Sequence, residues 1–144
     1  MTAPSSPLRV LLVDDEAYFR LFVGKVLGLL LNCTVTEAKN GQEALALCRT
    51  SDPDLILLDI YMPVMDGIET LPRIRALKPT TPIVMLTSVS EEAVVEKCVT
   101  LGASYLIRKD VKALLLKEEI QKMLAMFFPV QTEAHEQSAR ESTT

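Results

Sequence analysis

The stretch Leu55-Ile56-Leu57-Leu58-Asp59 decides the fold. Four apolar side chains run in succession and then a carboxylate closes the run. A strand with one wet face alternates apolar and polar residues, whereas a strand covered on both faces is apolar throughout. The run is too short for a buried helix, and Asp52-Pro53 just before it breaks helical structure. It therefore reads as a central strand of a parallel sheet, with Asp59 at its carboxyl end.

Similar β-rich runs lie outward in both directions, at Leu8–Val13, Cys33–Ala38, Pro82–Leu86 and Ser104–Ile107. Between them lie segments with helical spacing: Glu16–Leu31, Gln42–Arg49, Ile68–Leu77, Glu91–Leu101 and Val111–Phe127. In the first of these, Glu16, Arg20, Gly24 and Gly28 fall four apart and form a narrow polar or small stripe. Asn40-Gly41 opens the second helix, and Gly102 follows the fourth as a C-cap should. Ser88 or Ser90, with Glu91 and Glu92 after it, fits an N-cap with an acidic first turn. Strand-then-helix units in sequence imply a parallel sheet with helices on both faces. Right-handed crossovers leave few topologies, and the flavodoxin-like order 2-1-3-4-5 is expected for five units.

The chain has 144 residues, of which 49% are hydrophobic, enough for one compact domain with a real core. Residues 8–128 are assigned to that domain. Residues 1–7 and 129–144 lack a periodic apolar face and are expected to be disordered extensions. Lys and Arg number 15 against 19 Asp and Glu, a net charge of −4. Such a chain is a poor binder of nucleic-acid phosphates. The cysteines, Cys33, Cys48 and Cys98, are odd in number and widely spaced, so reduced packing thiols in a cytoplasmic protein are expected. No run approaches the ~20 apolar residues of a membrane-spanning helix. His135, the lone histidine, lies in the tail and is assigned no role.

Ligands of open parallel sheets bind beyond the carboxyl ends of the strands. The first strand ends Val13-Asp14-Asp15-Glu16, the third Leu58-Asp59, the fourth Leu86-Thr87-Ser88 and the fifth Arg108-Lys109-Asp110. In the expected order Asp14, Asp15 and Asp59 converge, with Thr87 and Lys109 from the next strands along. Carboxylates gathered in one pocket repel unless a cation relieves them. A hard ion with open water positions, Mg²⁺, suits that task. An Asp can act as a nucleophile towards phosphorus, while a Lys charge and a hydroxyl hold the phosphoryl oxygens. Each residue alone also has a plainer reading: Asp14, Asp15 or Asp110 as a helix cap, Thr87 as a strand residue, Lys109 as a solvated charge.

Four motifs carry a resemblance to a known family. They are Leu11-Leu12-Val13-Asp14-Asp15-Glu16, the run Asp54–Gly67 with Asp59, Met62-Pro63 and Asp66-Gly67, then Pro82–Ser88, and Gly102–Lys109. The chain resembles the receiver domain of bacterial two-component response regulators over about Leu8 to Phe127. The resemblance implies that Asp59 is the phosphoacceptor. It implies that Asp14, Asp15, Asp59 and the backbone carbonyl of Tyr61 bind Mg²⁺. Thr87 then contacts the phosphoryl group and relays the switch, and Lys109 pairs first with the acceptor and then with the phosphoryl oxygens. Counted from Gly102, the family's aromatic switch position falls on Leu106; a one-residue shift would put Tyr105 there and Arg108 at the lysine site. Asp110 stands where the family usually has Pro.

The implied function is a phosphorylation-dependent signalling switch. A sensor histidine kinase or phosphotransfer protein supplies the phosphoryl group. The fourth helix, fifth strand and fifth helix then present a changed surface to a downstream protein, an output domain or a second copy. Direct nucleic-acid or membrane partners are not expected. Tyr61 and Val89 flank the site and are large enough to hinder water, so self-dephosphorylation is expected to be slow. An Asp-nucleophile phosphatase would need a second Asp two residues after Asp59. Tyr61 stands there, so a regulator rather than an enzyme is expected.

Overall fold

The computed structural model describes residues 6–88 and 91–142. The chain runs β1 (Leu8–Val13), α1 (Ala17–Leu30), β2 (Cys33–Ala38), α2 (Gly41–Thr50), β3 (Leu55–Asp59), α3 (Gly67–Leu77), β4 (Ile83–Thr87), α4 (Glu92–Thr100), β5 (Tyr105–Arg108), α5 (Ala113–Phe127) and α6 (Pro129–Ser142). All neighbouring strands pair in parallel, in the order β2-β1-β3-β4-β5. This is the expected flavodoxin-like topology.

The two faces of the sheet each have their own core. Leu12, Leu55, Leu57, Val84, Leu86 and Ile107 turn towards α1 and α5, which supply Val23, Leu27, Ile120 and Leu124. Leu11, Ile56, Leu58, Ile83 and Met85 turn to the other side, against Leu45, Leu71, Ile74 and Cys98 of α2, α3 and α4. Every residue of β3 and β4 is buried, which explains their unbroken apolar runs. Alternation along the strand thus sends successive residues into different cores.

Local chemistry sets the helix starts. Asn40 accepts from the Glu43 N–H at the start of α2, and Asp66 accepts from the Glu69 N–H at the start of α3, both at 2.9 Å. Gly67 brings α3 against the end of β3, and its N–H donates to Ile60 O at 2.6 Å. A Cβ at Gly67 would collide with the Asp59 carbonyl and Ile60 Cα. Gly102 takes a φ of 111° after α4, the left-handed conformation that ends a helix. The cap of α4 is Glu91, with no side-chain cap bond; Ser90 lies outside the described residues.

Arg20, on the polar or small stripe of α1, is buried, because its guanidinium finds Glu37 and a backbone carbonyl. One expectation needs correction. The segment beyond residue 128 is not a structureless tail. Pro129–Ser142 forms α6, separated from α5 by a break at Phe128. Pro129 suits a first helical position, and Glu, Gln, Ala and Arg favour helix without needing an apolar face. His135 also meets the Leu29 carbonyl at 3.1 Å, in the last turn of α1. At the other end, residues 1–5 lie outside the described residues.

The three cysteines are free, Cys48 and Cys98 buried and Cys33 half-buried, and burial raises each thiol. Among the described residues no helix is long and apolar enough to cross a membrane.

Candidate functional site

Strands β1 and β3 lie side by side, with Val13 opposite Leu58. Asp14 and Asp59 therefore leave the sheet together at its carboxyl edge. One carboxylate oxygen from each of Asp14, Asp15 and Asp59 lies within 4.8 Å of the others. Asp14 and Asp59 are buried, while Asp15 stands open to solvent. An all-oxygen set with one open side fits a hard divalent ion that keeps part of its water shell.

Asp14 is held at each of its polar atoms. Its N–H donates to Ala38 O at 3.0 Å and its carbonyl accepts from Arg20 Nη1 at 2.7 Å. Its Oδ1 accepts from the Glu16 N–H at 2.9 Å and its Oδ2 from Lys109 Nζ at 2.7 Å. Neither Asp15 nor Asp110 takes the plain capping role. The cap of α1 is Glu16 and that of α5 is Lys112.

Lys109 arrives from the end of β5, where its N–H bonds Thr87 O at 2.8 Å. Its ammonium lies 3.3 Å from Asp59 Oδ2 and 3.3 Å from Glu16 Oε1, and 4.3 Å above the Phe19 ring centroid. Arg108 does not enter the site; it is exposed and forked onto Asp110. The register also separates Leu106 from Tyr105. Leu106 pairs with Met85 and packs on the α4 side, the face that Thr87 shares two residues along β4. Tyr105 turns to the opposite face, edge-on to Phe127 at 6.4 Å. Thr87 is buried at the end of β4, one residue past the Asp59 partner Leu86. Tyr61 follows Asp59 by two residues and its side chain is largely exposed. Val89 lies outside the described residues.

The electrostatics follow from burial and crowding. Burial lifts the Asp59 carboxyl from its usual 3.8 to about 7; the Asp14 charge adds to the rise and Lys109 opposes it. Burial also raises Asp14, against hydrogen bonds from Lys109 and the Glu16 N–H. Burial works to lower Lys109, yet its hydrogen bond to Asp14 and the charges of Asp59 and Asp14 carry it above its ordinary value. Among these side chains the acids thus outnumber the one ammonium.

Sequence reasoning missed three contributors. Glu16 was visible as the third acid of its run, but its reach to Lys109 spans the fold. Phe19 was assigned no role, and Arg20 only a place on the polar or small stripe of α1.

The sequence pattern of the response regulator receiver domain matches residues 10–121. The chain belongs to that family. It is 34% identical over 116 residues to the chemotaxis protein CheY of Halobacterium salinarum, covering 81% of this chain and 96% of that protein. It is 42% identical over 105 residues to a protein-glutamate methylesterase/protein-glutamine glutaminase of Bacillus licheniformis, covering 71% of this chain. Of that longer relative it spans only 29%. Among solved structures it is similar to the receiver domain of a sensor histidine kinase from Pseudomonas aeruginosa PAO1 with a magnesium ion coordinated in the active site cleft. There the TM-score is 0.74 at 27% identity, covering 85% of this chain and 98% of that one. Membership makes the chain a two-component signalling module, of a class phosphorylated on aspartate.

Proposed function

We propose that Asp59 accepts a phosphoryl group from a histidine kinase or a phosphotransfer protein. The observation that carries this is the placing of its buried carboxylate, at the sheet rim, within 4.8 Å of two further acids and 3.3 Å from Lys109. Asp14, Asp15, Asp59 and the Tyr61 carbonyl would hold Mg²⁺. When bound, the ion neutralises charge on the transferring oxygens. An Asp59 oxygen bonds to phosphorus as the donor's P–N bond breaks, and the imidazole leaves with that electron pair. Lys109 follows the charge from carboxylate to phosphoryl oxygens. The Thr87 hydroxyl binds another of those oxygens.

The new bonds bias the loops around the site. Several charge-assisted hydrogen bonds, at ~1.5–3 kcal/mol each, match the ~5 kcal/mol needed to make a rare state dominant. Leu106, on the same face as Thr87, is the side chain that repacks, without the hydroxyl an aromatic tyrosine would bring. The readout surface is α4–β5–α5, where Val99, Leu114 and Leu115 stand exposed. It meets a downstream protein, an output domain or a second copy. The protein works in the cytoplasm as a regulator whose own chemistry is limited to slow loss of the phosphoryl group. Mixing the chain with acetyl phosphate and Mg²⁺ should add one phosphoryl mass, absent with EDTA and absent in Asp59→Asn. An unchanged mass for the wild-type chain refutes the reading.

A further inference from the structure

We propose that Arg20 is a positioning residue that fixes the acidic pair Asp14-Asp15 for metal binding. The inference rests on the reading of the three acids as an Mg²⁺ seat. Arg20 lies in the first turn of α1 and its side chain is only 10% exposed. Nη1 donates to the Asp14 carbonyl at 2.7 Å, and Nε donates to Glu37 Oε1 at 2.8 Å. Glu37 is one residue before Ala38, whose carbonyl takes the Asp14 N–H at 3.0 Å. Both ends of the Asp14 backbone are thus tied to the last two residues of β2, one directly and one through the guanidinium.

The geometry separates this clamp from the others on Asp14. Glu16 N–H and Lys109 Nζ hold the carboxylate oxygens, and an arriving cation competes for those atoms. The carbonyl that Arg20 holds is not a member of the acidic triad, so its restraint persists when the ion binds. That carbonyl belongs to the peptide joining Asp14 to Asp15. Its plane sets where the chain presents Asp15, which is exposed and which the sheet does not hold. A planar guanidinium reaches a carbonyl and a carboxylate along two fixed directions at once, and an ammonium does not. Glu37, half-exposed, offsets the charge of the buried guanidinium.

The test is calorimetric titration of Mg²⁺ into the whole chain, with urea unfolding in EDTA run alongside. Arg20→Lys keeps the charge and loses the fork; it should weaken Mg²⁺ binding by roughly tenfold, in the range found when partners of metal ligands are removed. Glu37→Gln keeps Arg20 and loosens its outer anchor; it should weaken binding in the same direction and by less than Arg20→Lys does. A role confined to stability would lower the urea midpoint in EDTA and leave the Mg²⁺ dissociation constant unchanged, and that result overturns the inference. If Arg20→Lys does not fold, unchanged affinity in folded Glu37→Gln overturns it equally. No binding by the wild-type chain would sink the magnesium reading and this inference with it. Wild-type binding with unaltered variants sinks this inference alone.

Discussion

Replacing Asp59 with Asn should make the metal-free protein more stable at pH 8, although it deletes the proposed phosphoacceptor. The carboxyl rises from 3.8 to about 7 on folding because burial and the Asp14 charge oppose its ionisation. The folded state therefore binds this proton more tightly than the unfolded chain does. A contribution of that sign is fully present below pH ~4 and is lost as pH rises through ~7. Three units at about 1.4 kcal/mol each give a penalty of up to about 4 kcal/mol at pH 8. Asparagine has almost the same shape and never ionises, so it removes that penalty. With a urea slope of about 2 kcal/mol per molar, the midpoint in EDTA should rise by about 2 M. At pH 4 the advantage should shrink to under about 1 kcal/mol. Mg²⁺ at a hundred times its dissociation constant should stabilise the wild type by ~2.7 kcal/mol and the variant by much less, closing most of the gap. An Asp59→Asn protein no more stable than wild type at pH 8 in EDTA would refute the reasoning. So would an advantage equal at pH 4 and pH 8.

Lys109→Met should have the opposite effect in EDTA at pH 8. It leaves Asp14 and Asp59 without their shared cation and should cost about 3–5 kcal/mol by urea unfolding, with partial rescue by Mg²⁺. Gly67→Ala puts a methyl against backbone atoms of Asp59 and Ile60. It should cost 1–3 kcal/mol or more in a thermal melt, since backbone yields less than a side chain. A Cβ at Gly24 or Gly28 meets nothing within 4 Å. Each Gly→Ala change in α1 should therefore stabilise by about 0.5–1 kcal/mol, a Tm gain of about 2–4 °C.

The site carries a stability cost that the proposed binding of Mg²⁺ would offset. The buried Asp14 and Asp59 and the exposed Glu16 share the Lys109 ammonium, and the Phe19 ring lies on another side of it. The excess of negative charge costs stability, and a divalent ion would relieve it. Arg20 contributes no charge-pairing to the acids' side chains. It acts on the backbone between two of them.

The sequence by itself determined the sheet, its order and the rim. Apolar runs such as Leu55–Leu58 and the intervening helical spacing are local patterns, and handedness leaves one arrangement that buries them all. Because strands in that order end at one edge, Asp14, Asp15, Asp59, Thr87 and Lys109 were legible as neighbours before any coordinate. Tertiary structure alone decided which partners those residues take. Lys109 meets Asp14 across 95 positions of chain, and no local pattern specifies such a distance. The β4–β5 register decided that Leu106 rather than Tyr105 shares the Thr87 face, since one residue of slip exchanges the faces of a strand. A lone Arg on a helical stripe, as Arg20 is, carries no local signal of what it meets. Its burial depended on Glu37 and the Asp14 carbonyl, which reach it only once β2 lies beside β1. The helix at Pro129–Ser142 escaped notice for the converse reason. It has no apolar stripe to announce it, and it packs on α1 and α5, surfaces that exist only in the folded chain.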